Sequence, residues 1–546
     1  MTTSFEKLLF LHCLIGVYFT AVGACTPSVK VNLLGYRNSK PGLKYAAGGQ
    51  KLDGYKLQGL SKSTAYTHLG VNTDTVLRNV SDKFLSFAID AFMIRNHWHY
   101  HDLNFSAPRL LTLAEALQPG YLRVSGTAAD FMIFNDTATS LPVAEDNFHS
   151  DLNFTMTAQD WDIINTFAVK VGWQLIFGLN VLLRDGQGQW NPDNALKLFK
   201  YTIQQGYRVH WELGNEPNLF PSKANMTVSP SALAKDFRTL RNILNSKEEL
   251  RDSLLFGPDT TKPLEDGENN PAFDFLKGFV SSCNVTNATT FHQYYLCSHP
   301  PTPESFINPD NLEILPKQIQ AARDVVNRYR PGSALWLGET GTTCSAGSSS
   351  LSKTYVAGFM WLDKLGLAAT NGLNIVIRQT FCCDHQAMVE SDATPLPDYW
   401  LSVLYKRLVG HRVLSTKIAT KIGFEKFDAG VRVRAYAHCT RTTGTNYTAG
   451  SVTVFMMSLL SNETVTVYLT GALSHSSVDK YVLSAHEGEG ITSRRVDLNG
   501  QVLQLVDNST LPELSPQRMG PSDIIQLPPL SMGFFVLTDV KAAACL

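Results

Sequence analysis

Between residues 84 and 379, eight short apolar runs alternate with segments of helical periodicity, and nearly every run ends in a polar residue. The runs are Phe84–Ile89, Tyr121–Leu122, Gln174–Leu179, Val209–Leu213, Leu254–Pro258, Thr289–Phe291, Leu335–Gly338 and Asn374–Ile377. Strands that are apolar on both faces and separated by helices are typical of a parallel sheet covered on both sides. A count of eight predicts an α/β fold, a (β/α)8 TIM barrel over residues 81–409.

A doubly wound open sheet is the alternative interpretation of this pattern. It is disfavoured because no Gly-rich phosphate-binding loop follows the first strand. In a barrel, the polar residues that end the strands line the active face. These residues are Asp90, Arg123, Asn180, Asn215-Glu216, Asp259, His292, Glu339 and Arg378-Gln379.

After the barrel, the pattern changes to alternating strands without long helices. We expect residues 410–546 to form a β-sandwich packed against the barrel. Its predicted strands are Val431–Tyr436, Ser451–Leu460, Thr464–Leu469, Tyr481–Leu483, Val502–Val506 and Met532–Leu537. Within the N-terminal segment 25–80, Val29–Leu34 is expected to add a strand to the sandwich, and 38–75 to be an irregular insertion. Residues 135–153 predict an exposed loop.

The first 24 residues predict a secretory signal peptide, because an apolar run from Leu8 to about Ala21 is followed by small residues. A membrane anchor is the alternative, but the run is short for a span, and no other stretch approaches that length. Ten Asn-x-Ser/Thr sequons favour the secretory route. They begin at Asn79, Asn104, Asn135, Asn153, Asn225, Asn284, Asn287, Asn446, Asn462 and Asn508. The expected location is the extracellular matrix or the lysosome.

The chain has nine cysteines and a formal net charge of -1. No cysteine pair has CxxC spacing, and a secretory route favours disulfides over metal binding. Cys344 follows the seventh strand, and Cys382 and Cys383 follow the eighth, so a bridge over the active face is one hypothesis. The charge gives no global basic field, so we expect no nucleic-acid partner. No cofactor or metal is expected.

Two strand ends carry a glutamate that faces the predicted barrel mouth. Asn215-Glu216 is followed at once by Pro217, and Glu339 ends the seventh run. Hydrolysis of a glycosidic bond needs one carboxylic acid to protonate the leaving oxygen and a second carboxylate on the opposite side of the sugar. Because strands four and seven face each other across a barrel mouth, the pair predicts glycosidase chemistry.

The neighbours of this pair lead to further expectations. Burial and the charge of Glu339 should raise the pKa of Glu216 and keep it protonated. Tyr294 is placed to donate a hydrogen bond to Glu339, which must stay ionised. His292 is either a sugar ligand or a packed strand-end residue. Glu212 lies two strand intervals before Glu216, so we expect it to be structural.

Three more polar residues are candidates for substrate contact, namely Asp90, Thr127 and Gln379. For Asp90, Gln379 and Arg123, a hydrogen-bond network at the barrel mouth is an equal alternative.

Several segments together resemble one family. They are Trp211–Asn218, Trp336–Thr340, Ala357–Leu367, Arg378-Gln379, Pro395–Trp400, Tyr436–Cys439 and Ala542–Cys545. From about Phe84 to the C-terminus the chain resembles the heparanases, in glycoside hydrolase family 79 of clan A. The resemblance implies that Glu216 is the acid/base and Glu339 the nucleophile of a retaining mechanism, and that Asn215 binds the 2-hydroxyl of the substrate. It also implies a Cys439–Cys545 disulfide.

The activity implied by this resemblance is that of an endo-β-glucuronidase, which cleaves internal glucuronic acid linkages of heparan sulfate. Heparanases are made as proforms with a long linker that is excised, whereas the equivalent region here, about 135–165, is much shorter. We therefore expect activity without proteolytic processing.

Basic residues are sparse where the family has basic clusters. Leu152–Asp162 has no Lys or Arg, and Thr261–Lys277 has only its Lys262 and Lys277. Sulfate groups need such cations. One alternative is therefore cleavage of hyaluronan, since Phe291–Tyr295 and Ile377–Thr380 resemble leech-type hyaluronidase. A second alternative is a non-catalytic relative that binds heparan sulfate.

Overall fold

The structure is a computed structural model that describes residues 65–99, 103–139, 153–263, 270–297, 300–344, 350–422 and 431–546. The expected signal peptide, the expected strand Val29–Leu34 and most of the expected loop 135–153 lie outside these residues. Within the described ranges, no helix is long and apolar enough to span a lipid bilayer.

Eight parallel strands form a closed barrel, as the sequence predicts. Two strands precede it, β1 (Ala65–Val71) and β2 (Arg78–Asn79). The next ten are β3 (Leu85–Asp90), β4 (Gly120–Ser125), β5 (Met132–Asn135), β6 (Phe154–Thr157), β7 (Trp173–Leu179), β8 (Val209–Leu213), β9 (Leu255–Thr260), β10 (Ala288–Gln293), β11 (Ala334–Thr340) and β12 (Val376–Arg378). Strands β5 and β6 pair with each other, and the other eight follow one another around the barrel until β12 pairs with β3.

Helices follow most of the barrel strands. They are α1 (Pro108–Glu115), α2 (Ala158–Lys170), α3 (Asp193–Gln205), α4 (Phe220–Lys223), α5 (Pro230–Asn245), α6 (Pro271–Ser282), α7 (Pro303–Phe306), α8 (Pro309–Leu312), α9 (Ile314–Tyr329), α10 (Ala357–Thr370) and α11 (Pro397–Leu408). Helix α5 shows why such segments are helical: the Ser229 side chain accepts from the Ala232 amide as an N-cap, and Pro230 occupies the first turn. Its buried residues recur at helical spacing and face the barrel.

One barrel strand differs from the prediction in a way that matters for the site. Strand β4 does not end at Arg123 but continues to Ser125. Arg123 therefore lies within the strand, and its side chain is 1% exposed inside the barrel. Deeper in the barrel, the rings of Tyr121, Phe256 and Trp336 fill the interior, with Phe256 and Trp336 centroids 4.2 Å apart.

The C-terminal part is a two-sheet sandwich. Its strands are β13 (Val409–Leu414), β14 (Thr416–Ile422), β15 (Val433–Thr440), β16 (Val452–Ser458), β17 (Val465–Leu469), β18 (Val478–Ala485), β19 (Val496–Leu498), β20 (Gln501–Val502), β21 (Gln517–Met519), β22 (Ile525–Leu527) and β23 (Met532–Leu537). One sheet has the order β14-β1-β17-β22, and the larger sheet has the order β2-β13-β15-β16-β23-β18-β19-β20.

The larger sheet is covered on both faces. On β15, Val433, Ala435 and Ala437 pack against the four-stranded sheet, whereas Arg434 and Tyr436 bond to the barrel helix α10. All eight residues of β15 are buried for this reason. The barrel and the sandwich belong to one compact unit, Ser61–Leu546.

Two expectations about strands were wrong. Strand β1 falls within 38–75, which was expected to be irregular; its inward positions include Thr67, so only Ala65 and Leu69 carry an apolar signal. The predicted strand Val502–Val506 is shorter, because β20 ends at Val502. The ten sequon asparagines are all exposed, but their glycosylation stays a prediction.

Candidate active site

The carboxyl ends of the barrel strands surround a cavity of about 530 Å³. The eight residues that the sequence singled out for catalysis or substrate contact all line it. They are Asp90, Thr127, Asn215, Glu216, His292, Tyr294, Glu339 and Gln379. In a barrel enzyme, this end is where loops can vary around a rigid scaffold, so a cavity here is the expected place for chemistry.

A tight turn after β8 directs Glu216 into the cavity. Gly214 and Glu216 both have positive φ angles, 81° and 50°, a conformation that is costly for a non-glycine residue and is tolerated where the surroundings enforce it. Two hydrogen bonds do so: the Asn215 amide donates to Asp130 Oδ2 at 3.0 Å, and the Glu216 amide donates to the Asp259 carbonyl at 2.9 Å.

Glu216 lies between two cations. Lys223 Nζ donates to Glu216 Oε2 at 2.7 Å, and His292 Nδ1 lies 3.1 Å from Glu216 Oε1. Burial raises the pKa of Glu216, but the hydrogen bond and charge of His292 and the charge of Lys223 outweigh burial and lower it to about 2. The expectation of a raised pKa for Glu216 was therefore wrong for the free site.

His292 carries the proton that Glu216 lacks. Burial lowers the pKa of His292, but the charge of Glu339 and hydrogen bonds to Asp259 and Glu216 raise it to about 10. As an imidazolium, His292 donates from Nδ1 to Glu216 and from Nε2 to Asp259 Oδ1 at 3.3 Å. One proton thus belongs to the Glu216–His292 pair rather than to either residue alone.

Glu339 accepts from two donors on the other side of the cavity. Tyr294 donates its hydroxyl to Glu339 Oε1 at 2.6 Å, as expected, and Arg123 Nη1 donates to Glu339 Oε2 at 2.9 Å. Burial and the charge of Glu339 raise the pKa of Tyr294 well above its usual value, so it remains a donor. These bonds fix the orientation of the carboxylate.

Arg123 joins three parts of the site through its planar guanidinium. Besides Glu339, it donates from Nε to Glu212 Oε2 at 2.8 Å and from Nη2 to Asn215 Oδ1 at 3.0 Å. Glu212 is 1% exposed and does not line the cavity. Burial raises its pKa to about 8, against the charge of Arg123. Glu212 therefore supports Arg123 and has no access to a ligand in the cavity.

The remaining predicted residues lie at the edges of this centre. Gln379 donates from Nε2 to Asp90 Oδ2 at 3.1 Å, and Thr127 accepts from Lys223 at 2.8 Å. Burial raises the pKa of Asp90 to about 7, against the hydrogen bond from the Phe92 amide. Asp90 and Gln379 are thus hydrogen-bonded to each other at the mouth, and their contact with a substrate stays a prediction.

Lys223 and Asp130 belong to the site but were not predicted from the sequence. Neither follows a barrel strand directly: Lys223 ends the short helix α4, and Asp130 lies after β4 in a short helical turn. The strand-end pattern therefore gave no signal for them. Asp259 was seen as a strand end, but its bond to His292 could not be inferred from position alone.

The Cys344 hypothesis was wrong. Cys344 pairs with Cys297, which follows the other neighbouring strand, β10, and both cysteines line the cavity. Cys382 and Cys383 are buried as free thiols. A strand in a closed barrel has two neighbours, and spacing does not select between them. Cys439 and Cys545 are joined, as the resemblance implies.

One oxygen of Glu216, one oxygen of Glu339 and one ring nitrogen of His292 all lie within 4.8 Å of one another. This separation leaves no room for a water between sugar and carboxylate, which inverting enzymes need, and fits direct attack by the second carboxylate. The same three groups have a spacing that could suit a metal ion. Lys223 and Arg123 already compensate both carboxylates, so a metal ion there would meet two cations at close range.

A closed (β/α)8 barrel with two opposed carboxylates at this separation defines a retaining glycoside hydrolase. Residues 95–366 match the description "Glycosyl hydrolase family 79, N-terminal domain". The chain belongs to glycoside hydrolase family 79, with the heparanases, since it is 38% identical over 529 residues to the protein named "Heparanase" of Gallus gallus, covering 89% of this chain and 97% of that one.

Other relatives span the alternatives raised by the sequence. "Inactive heparanase-2" of Mus musculus is 34% identical, covering 92% of this chain and 93% of its own. "Hyaluronoglucuronidase" of Hirudo nipponia is 30% identical, covering 87% and 98%. A solved GH51 arabinofuranosidase from Xanthomonas axonopodis pv. citri has a TM-score of 0.63 at 14% identity, covering 87% of this chain and 100% of that one. At that identity, the likeness shows the fold alone.

Proposed function

We propose that this chain is a retaining endo-β-glucuronidase that cleaves internal glucuronic acid linkages of heparan sulfate. The separation of the Glu216 and Glu339 oxygens within 4.8 Å carries the catalytic part of the proposal. The relatives named heparanase support the choice of bond and polymer, because the chain aligns with nearly their full length.

In the first step, Glu339 attacks the anomeric carbon while a proton passes from Glu216 to the leaving oxygen, which gives a covalent glycosyl-enzyme. In the second step, Glu216 removes a proton from the attacking water, and the bond to Glu339 breaks. Arg123 and Tyr294 hold Glu339 on the line of attack.

Glu216 obtains its proton from His292. In the free site the proton rests on the imidazole, 3.1 Å from the carboxylate oxygen. Because the pKa of Glu216 is far below that of His292 in the free site, this proton moves to the carboxylate only when a bound substrate raises the pKa of Glu216. The amide group of Asn215 lies beside the sugar C2 position in this scheme, and its Oδ1 is fixed by Arg123. Asp90, Thr127 and Gln379 are the further substrate contacts at the mouth.

Hyaluronan is the second candidate substrate, and one observation favours it. The described lysines and arginines that line the cavity are Arg95, Lys223 and Lys262. Lys223 is engaged by Glu216, and the guanidinium of Arg95 lies 4.3 Å from the Phe154 ring centre. Few of these described cations remain to bind sulfate groups. An unsulfated polymer carries only carboxylates and needs fewer cationic side chains.

The proposed location is outside the cell or in the lysosome. It is supported by the sequence features of secretion and by the exposure of all ten sequon asparagines.

The test is a parallel digestion by the chain without proteolytic processing and by its Glu339→Gln variant. Heparan sulfate, hyaluronan and an aryl β-glucuronide are incubated separately and the products are sized. We expect shortened heparan sulfate chains from the uncut wild type and a loss of at least 10³-fold in turnover for the variant. Cleavage of hyaluronan alone would favour the second candidate. Equal turnover by wild type and variant, or no turnover of any substrate, would contradict the proposal.

A further inference from the structure

The outer face of the four-stranded sheet carries a cluster of rings and lysines. On β1, Ala65, Thr67 and Leu69 are fully buried against the larger sheet. Alternate residues of a strand point to opposite faces, so Tyr66 and His68 lie on the outer face. His68 is exposed, and Tyr66 is half-buried.

The neighbouring strand β17 completes an aromatic cluster. Its residue Tyr468 pairs in register with His68 and is 43% exposed. The rings of His68 and Tyr468 stack, with centroids 5.5 Å apart and planes 27° apart. Tyr66 meets both rings edge-on, with centroids 5.6 Å and 6.1 Å away. The three rings form one continuous surface on the sheet.

The strand on the other side, β14, adds positive charge. Its residue Lys421 pairs with Tyr66, and Lys417 pairs with Gly70, so both lysines lie on the same outer face. The two lysines are four positions apart along the strand, about 13 Å. We call Tyr66, His68, Tyr468, Lys417 and Lys421 the aromatic face.

The aromatic face is separate from the catalytic cavity. The barrel helix α10 contacts one face of the larger sheet, and the four-stranded sheet covers the opposite face. The aromatic face is the outer surface of the four-stranded sheet, which points away from the barrel. None of its residues lines the cavity. The catalytic steps of Glu216 and Glu339 do not use the aromatic face.

We propose that the aromatic face is a second binding site for an acidic polysaccharide, separate from the catalytic cavity. Sugar rings present C–H groups that pack on the electron-rich faces of aromatic rings. Lysines at the border attract carboxylate or sulfate groups along the same chain. The proposed function supplies the choice of polymer, namely the same uronic acid chain that the barrel cleaves.

An acidic polysaccharide fits this surface better than a protein. The face combines rings with lysines, and among the described residues the outward positions between them are small, Gly70 and Ala419. These described positions offer no aliphatic ridge for a protein partner to bury. A second site on the same molecule raises the affinity for a long polymer and leaves a small substrate unaffected.

The test measures binding of the intact chain to immobilised heparan sulfate in the Glu339→Gln background, where no cleavage occurs. The double variant Tyr468→Ala/Lys417→Ala is compared with Tyr329→Ala/Lys317→Ala. The control removes a tyrosine that is 36% exposed, against 43% for Tyr468, and an exposed lysine from helix α9. We expect the first pair to weaken binding at least fivefold and the second to leave it unchanged. Both pairs, placed in the active background, should hydrolyse an aryl β-glucuronide at the wild-type rate.

Equal binding by the two double variants would overturn the proposal, and so would a slower rate on the aryl glucuronide for the first pair alone. Thermal unfolding of each variant shows whether it is folded. Failure of the proposed function gives a different result, namely no turnover of any substrate by the wild type. The binding of the two double variants to heparan sulfate can still be compared in that case.

Discussion

Arg123 links the nucleophile candidate Glu339, the amide of Asn215 and the buried Glu212 through a single guanidinium. Burial opposes its charge, but the three surrounding carboxylates, Glu212, Asp259 and Glu339, raise the pKa of Arg123 further above its usual value. Its fork geometry explains why lysine could not replace it, since lysine presents one point charge rather than three aligned donors.

Strand-end position was enough to find the residues at the cavity, such as Glu216, Glu339 and His292. It could not give their protonation states. The sequence predicts that Glu216 and Glu339 face each other across the barrel mouth, which would raise the pKa of Glu216. It gives no sign that Lys223 reaches the same carboxylate from α4. The balance between burial and neighbouring cations depends on distances that only the folded chain provides.

Lys223→Met should move the pH dependence of activity. Lys223 lowers the pKa of Glu216, so its removal raises the pKa of the Glu216–His292 pair, and the acid form persists to higher pH. We expect the alkaline limb of kcat/KM for an aryl β-glucuronide to shift upward by about one pH unit. Lys262→Met is the matched control, because Lys262 lines the same cavity and contacts Cys297 instead. A downward shift, or an equal shift in both variants, would refute the role of Lys223.

At the scale of elements, the eight barrel strands could be predicted because each is apolar on both faces and short. Strand β1 could not, since its buried side includes a threonine and its partners β14 and β17 come more than 340 residues later. The Cys297–Cys344 bridge was missed for a related reason. Cys344 follows a strand that has a neighbour on each side. Only the folded structure shows which neighbour's loop approaches it.

Helix α10 packs so closely on the sandwich that a glycine is required at Gly366. A Cβ atom added there would lie 2.2 Å from the Tyr436 ring. Replacement of glycine by alanine inside a helix normally stabilises by about 1 kcal/mol. For Gly366→Ala we expect the opposite, a loss of about 1–3 kcal/mol in the free energy of unfolding, because the ring must shift. Urea denaturation measures this, and a stabilised variant would show that the contact is not tight.

At the scale of the whole molecule, the barrel and sandwich share a buried polar junction. Asp363 of α10 is fully buried and accepts from Arg434 and Tyr436 of β15, and Arg434 also donates to Glu313 at 2.7 Å. Burial raises the pKa of Asp363, against the charge of Arg434. The sequence predicted two parts but not this junction, because nothing in the local pattern pairs an aspartate of a helix with an arginine far along the chain.

Arg434→Met should leave the Asp363 carboxylate buried without its cation. We expect a loss of about 3–5 kcal/mol in the free energy of unfolding at pH 7. The double variant Asp363→Leu/Arg434→Met removes both charges and should recover most of the loss. In the single variant the deficit should shrink as the pH falls and Asp363 takes up a proton in the folded state. A loss below 1 kcal/mol in urea denaturation of the single variant would mean that the junction is not what couples the two parts.

As a retaining β-glucuronide hydrolase with Glu339 as its nucleophile, the chain must form a covalent glycosyl-enzyme on Glu339. The most direct measurement uses a 2-deoxy-2-fluoro-glucuronide with a good leaving group, which slows the second step and traps the glycosyl-enzyme. Peptide mass mapping then locates the label. We expect one glucuronyl adduct on the peptide that contains Glu339, and none on the peptide that contains Glu212 and Glu216. A label on the latter peptide, or turnover without any adduct and with an inverted product, would contradict this role of Glu339.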